Sequence, residues 1–216
     1  MRPYFGNIIH SVLEDNVSKE EKLDHSKLVK SYHDHTKEQD PDKIVGDRLV
    51  EVGSTILHEF FDQYGESTFD VFDKEYEFNF VIGSYLILGY IDRIDIVDDN
   101  TLKIIDYKTG KWEVAQKDIA HNLQLGIYAL AVSENFPDKN VYAELYYLRS
   151  GRRKGHLFTK EDLENVKQNL IKEINKITKD VFFHPTKNEK LCTYCDFAKS
   201  GACNTGVFRL RKLAKA

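Results

Sequence analysis

The chain has no run of about 18 apolar residues, so no segment reads as a membrane-spanning helix. Its opening residues, MRPYFGNIIH, lack the apolar core of a signal peptide, and cytoplasmic residence is the expectation. A basic excess is missing too. Lys and Arg number 31 against 35 Asp and Glu, a formal charge of −4, and no global positive field marks a purely electrostatic nucleic-acid binder. Cysteine is scarce, with 3 in 216 residues, all between positions 192 and 203. An odd, clustered set argues against a disulfide framework and for metal ligation. No internal repeat and no low-complexity linker breaks the chain.

What is present suffices for one core of good size: 41% of 216 residues are hydrophobic. Residues 5 to 14 (FGNIIHSVLE) place Phe5, Ile8, Ile9, Val12 and Leu13 on one helical face, with His10 inside the helix. Residues 15 to 40 are highly charged and read as an exposed helical arm or loop. Asp40-Pro41 reads as a helix start, the helix running to about Tyr64. Alternating, aromatic-rich stretches at 71 to 82, 85 to 97 and 101 to 108 predict three strands in an antiparallel meander. Residues 117 to 134 return to helical period, 141 to 148 alternate as a strand, and 154 to 158 pair with it. Thr159 with Asp162 reads as a capping box opening a helix to about Val181. The pattern predicts a mixed α/β fold with helices on both faces of a central sheet.

The informative stretch is GYIDRIDIVDDNTLKIIDYKTG, residues 89 to 110. It places Asp92 on one strand and Asp106, Tyr107 and Lys108 at the end of the next. Asp106 and Lys108 share a side because a strand repeats every two residues. Two carboxylates and a carbonyl, that of Tyr107, suit Mg²⁺ and leave positions for water and a phosphate oxygen. A lysine facing the same phosphate can orient the attacking water or neutralise developing charge. This is equipment for hydrolysing a phosphodiester. The competing reading is a solvated hairpin with surface charges. Two basic clusters, Arg149 with Arg152, Arg153 and Lys154, and Arg209 with Arg211, Lys212 and Lys215, are candidate phosphate tracks or plain solvated turns.

With those residues in view, the chain resembles the RecB-like branch of the PD-(D/E)XK nuclease superfamily. Gly89 and Asp92 match its glycine-led strand with the first aspartate, and Asp106-Tyr107-Lys108 its Asp-Tyr-Lys triplet. Gln124 and Tyr128 match its Gln-x-x-x-Tyr helix, and Gly6 with His10 its early Gly-x-x-x-His helix. Glu75 is the better match to a glutamate on the preceding strand. Gly53 and His58 are one residue too far apart. His25, His33 and His35 read as solvated, and His121 is a weak candidate for approaching the site.

The resemblance implies a restriction-endonuclease-like core, a central mixed β-sheet flanked by helices, with an N-terminal helical part and a C-terminal cysteine segment. One nuclease domain over residues 1 to 216 is expected, divided as 1–66, 67–185 and 186–216. It implies that His10, Asp92, Asp106 and the Tyr107 carbonyl hold Mg²⁺ or Mn²⁺, with Lys108, Gln124 and Tyr128 in the catalytic group. The implied activity is that of a metal-dependent DNA nuclease, acting on single-stranded DNA or free ends in end processing, recombination or repair, beside a helicase domain or subunit. A stand-alone exonuclease similar to those of CRISPR adaptation and a non-catalytic DNA-binding module are the alternatives. Cys192, Cys195 and Cys203 resemble three ligands of a 4Fe–4S staple, the fourth expected on a missing upstream part of a longer protein. A Zn²⁺ site completed by His184, or an empty remnant, also fits.

Overall fold

The computed structural model describes residues 3–39, 46–180 and 184–213. The chain forms two compact units, Met1–Ile171 and Lys172–Ala216. None of the described helices is long and apolar enough to cross a membrane.

The first unit begins with α1 (Pro3–Asn16), α2 (His25–Gln39) and α3 (Asp47–Tyr64). In α1, Phe5, Ile8, Ile9, Val12 and Leu13 recur at helical spacing and are all buried. They join Ile56, Leu57 and Phe60 of α3 in one cluster with Ile105, Tyr107 and Tyr146 of the sheet. The expected exposed arm is corrected here. Within residues 15 to 40, Val17, Leu23, Leu28 and Tyr32 are buried, and α2 packs against both α1 and α3. Two of these, Leu28 and Tyr32, lie in α2 and are enough to anchor a helix whose outer face stays wet. His35 pairs with Asp15 at 2.7 Å, and His25 meets His58 at 3.2 Å, so neither is simply solvated. The Asp40-Pro41 start lies outside the described residues.

Five strands follow: β1 (Val71–Ile82), β2 (Tyr85–Asp98), β3 (Thr101–Lys108), β4 (Asn140–Tyr147) and β5 (Arg152–Phe158). They lie side by side in chain order. The β1–β2, β2–β3 and β4–β5 pairs are antiparallel, while β3 and β4 are parallel. A parallel neighbour requires a crossover, supplied by α4 (Leu123–Asn135). The continuous helix expected over 117 to 134 is divided. A 3₁₀ turn, Gln116–His121, precedes Asn122, whose side chain accepts from the Leu125 amide at 3.0 Å and caps α4. The expected sheet with helices on both faces is present: α1 and α3 cover the Ile105 and Tyr107 face, and α4 lies against β4 and β3 from the other.

After β5, Thr159 and Asp162 form the expected reciprocal cap. Each backbone amide donates to the other's side chain, at 2.8 and 3.1 Å, and α5 (Lys160–Lys179) starts there. The predicted end at Val181 lies outside the described residues. The second unit carries a 3₁₀ turn, Glu189–Thr193, then α6 (Asp196–Lys199) and α7 (Asn204–Leu213).

Gly89 in the β2 motif has a packing reason. A Cβ there would lie 2.8 Å from Cζ of Phe78, a buried ring that in turn meets Tyr128 edge-on with centroids 5.7 Å apart. Gly89→Ala is therefore expected to destabilise the protein by about 1–3 kcal/mol, the usual cost of overpacking. Urea denaturation checks this, and wild-type stability in the variant would remove the packing argument.

Candidate active site

The β2–β3 ladder stops early. Its last pair is Arg93 with Ile105, whereas β3 continues beside β4 as far as Lys108. Beyond Arg93 the two strands part, and backbone groups lose their ladder partners. Side chains take over. The Tyr107 amide donates to Asp92 Oδ2 at 2.7 Å, and the Tyr107 carbonyl lies 3.1 Å from His10 Nε2. His10 Nδ1 stands 3.3 Å from Asp92 Oδ1. An early helix and two strand ends thus meet at three residues expected from the sequence.

Asp106 and Lys108 project from the same side of β3, as the strand period requires. The Lys108 ammonium lies 2.5 Å from Asp106 Oδ2 as an ion pair and donates to Gln124 Oε1 at 2.8 Å. Gln124 Nε2 then donates to the Tyr128 hydroxyl at 2.9 Å, one helical turn on. The approach to Asp106 falls outside hydrogen-bonding angles, and Oδ2 is a buried oxygen without a hydrogen bond.

The electrostatics are those of crowded acids. Burial pushes the Asp106 carboxyl up to about 6; Lys108 opposes the rise and Asp92 reinforces it. Burial also raises Glu75, with help from Asp92 and Glu14. Burial alone would lower the His10 pKa, but Asp92, and behind it Asp106, raise it above the ordinary value. One group of donors could hold an ion: His10, Glu75 and Asp92 offer ligand atoms all within 4.8 Å of one another. Imidazole with carboxylates suits a divalent metal. Asp106 stands outside that group of three, its Oδ2 paired with the Lys108 ammonium.

Two residues gain importance from the structure. Glu75, opposite Asp92 on β1, has φ +46, the one non-glycine in the left-handed region among the described residues. Such a backbone costs on the order of 1–3 kcal/mol, and alternation along VFDKEYEF gives no hint of it. Arg93 forks onto Asp95 at 2.7 and 2.6 Å and donates to the Tyr107 hydroxyl at 2.8 Å. It ties β2 to β3 through the Tyr107 side chain, beside the cavity that His10, Glu75 and Asp92 line. A charged residue at a position where the alternation of YIDRIDIV turns inward was the available signal.

Other candidates go elsewhere. His121 and His58 are exposed and lie outside the donor group. The basic turn is largely committed to structure. Arg153 pairs with Glu144 at 2.7 Å, Arg152 and Lys154 reach Glu113 at 2.9 and 3.0 Å, and Arg149 Nε donates to the Thr109 carbonyl at 2.6 Å. In the second unit Cys192 is buried, and the Cys203 sulfur accepts from the Gly206 amide at 3.3 Å. The three cysteines do not form a group of donors within 4.8 Å among the described residues. Lys215 lies outside them.

A prediction follows from the raised Asp106. Its carboxyl holds a proton more tightly in the folded state than in the unfolded one, so metal-free stability falls as pH rises from about 4 through about 6. Asp106→Asn is expected to stabilise the metal-free protein at pH 8 by about 1–3 kcal/mol and to change little below pH 4. Mg²⁺ or Mn²⁺ should raise the wild-type melting temperature more than the variant's. Thermal melts in EDTA and in metal decide it; a variant less stable than wild type in EDTA at pH 8 contradicts the reading.

A sequence profile of the PD-(D/E)XK nuclease superfamily matches residues 1–201. No curated protein matches the chain in sequence. Among solved structures, the chain is similar to a candidate exonuclease from Eubacterium rectale, with a TM-score of 0.43 and 13% identity over 88% of this chain and 80% of that one. It is also similar to SSO0001, with a TM-score of 0.40 and 18% identity over 94% and 95% of the two chains. The profile match runs from α1 through the parted strands and on past α5, and on that extent the chain belongs to the PD-(D/E)XK nuclease superfamily.

Proposed function

We propose that this chain is a metal-dependent deoxyribonuclease that hydrolyses phosphodiesters at DNA ends. The observation that supports it is the meeting of His10, Asp92 and the Tyr107 carbonyl, with the Asp106–Lys108 pair next along β3. His10, Asp92, Asp106 and the Tyr107 carbonyl, joined by Glu75, would hold Mg²⁺ or Mn²⁺. Such an ion, when bound, makes a water more acidic and polarises a phosphate oxygen.

The chain's own groups do the remaining work. Asp92 fixes the Tyr107 peptide and with it the direction of the carbonyl. Gln124 holds the Lys108 ammonium in place, and Tyr128 holds Gln124. A lysine fixed in this way offers a positive charge to the phosphate as negative charge develops, or orients the attacking water. Burial excludes bulk solvent from Asp106, which strengthens its pairing with Lys108.

The finer proposal is exonucleolytic action in recombination or repair, on single-stranded DNA or on ends opened by a helicase. The family resemblance carries that part. Cys192, Cys195 and Cys203 are proposed to anchor a 4Fe–4S cluster or Zn²⁺ apart from this site, which metal analysis of purified protein checks.

Cleavage of end-labelled single- and double-stranded DNA with Mg²⁺, Mn²⁺ or EDTA tests the activity. Metal-dependent products are expected from the wild type. Lys108→Ala, with its fold verified by circular dichroism, should lose at least about 100-fold in rate, as for removal of one preorganised charge-stabilising donor. Undiminished cleavage by that variant removes Lys108 from the chemistry. DNA binding with no product under any metal overturns the catalytic reading.

A further inference from the structure

The segment leaving β3 holds the chain's single tryptophan. Trp112 is 94% exposed, the highest value among the large apolar residues described. Indoles usually bury about 150–250 Å² of surface; this one lies in water four positions after Lys108. No ring contact holds it among the described residues.

The segment itself is firmly tied. Arg149 holds the Thr109 carbonyl at 2.6 Å. Glu113 is gripped by Arg152, Lys154 and Ser150 at 2.9, 3.0 and 2.8 Å. The Val114 amide donates to the Tyr147 hydroxyl at 2.9 Å, and its carbonyl accepts from Lys154 at 2.7 Å. Tyr147 is the β4 register partner of Lys108. The far end of the segment is therefore drawn back to the strand beside Lys108, with Trp112 between two anchored ends. Four residues of chain span at most about 14 Å, so the indole lies close to whatever phosphate Lys108 meets. Lys111, Arg152 and Lys154 around it outweigh Glu113, giving the segment a local positive charge in an acidic protein.

A rigidly presented, unburied aromatic beside cations and next to a phosphate-facing lysine has the chemistry of a base-stacking platform. We propose that Trp112 stacks on an unpaired base of the strand whose scissile phosphate lies at Lys108. Paired bases have both faces occupied by neighbours, so the platform favours single strands and frayed ends. The inference rests on the nuclease reading and adds to it how the substrate strand is held.

Because the chain has one tryptophan, its intrinsic fluorescence reports on this residue alone. The probes are a ten-residue oligothymidine and an abasic strand of equal length and charge, each added to the full chain in EDTA. Oligothymidine is expected to quench the emission, and the abasic strand to bind without quenching. By fluorescence anisotropy of labelled strands, Trp112→Ala should weaken oligothymidine binding about 5- to 150-fold, the range of one base–aromatic stack. Abasic affinity should stay unchanged, and Trp112→Phe should recover part of the loss. Oligothymidine binding with unchanged emission and equal affinity for Trp112→Ala overturns the platform and leaves the nuclease reading standing. Failure of the wild type to bind or cut any strand overturns both.

Discussion

The Tyr107 amide bonds to the Asp92 carboxylate where a β-ladder would have given it a backbone carbonyl. The candidate site depends on that exchange. A buried amide must find an acceptor, and here the acceptor is an acid that also faces His10. Had β2 and β3 remained paired to their ends, the Tyr107 carbonyl would have been consumed by the sheet. Parting the strands at Arg93 frees it, and brings α1 from one face and α4 from the other to the same strand ends. Arg93, forked onto Asp95 and bonded to the Tyr107 hydroxyl, braces the two strands where they part.

The arrangement is uneasy without a cation. On top of burial, the negative charge of Asp92 raises the proton affinity of Glu75 and of Asp106, and His10 and Lys108 oppose it. Glu75 adds backbone strain, and Asp106 adds a carboxylate buried in the interior. Each feature works against stability, and together they describe a site preorganised for a positive charge that the protein itself does not supply.

Much of this was legible in the sequence. Alternation and the turn residues between runs located β1 to β5 closely, although β3 and β4 are buried on both faces. The spacing of Asp106 to Lys108 and of Gln124 to Tyr128 placed those side chains where they meet. What escaped was whatever depends on tertiary context. The burial of Leu28 and Tyr32 shows only when α2 is seen against its neighbours. The φ of Glu75 is a backbone departure inside a paired strand, which side-chain alternation does not register. The basic turn looked like a phosphate track because pattern cannot reveal that Glu113 and Glu144 wait for its cations. Gly89 was recognisable as a motif member, but the Phe78 ring that requires it was not.

His10 reaches Tyr107 across 97 positions of chain. Seating α1 thus closes a long loop, because its seat includes Ile105, Tyr107 and Tyr146 from strands far along the chain. Until that loop closes, helix and sheet are two incomplete halves of one donor group, His10 on one and Glu75 and Asp92 on the other. The same dependence runs in reverse. Lifting α1 from the sheet would take His10 away from Glu75 and Asp92 even with the strands still paired, so local opening alone is enough to dissolve the donor group.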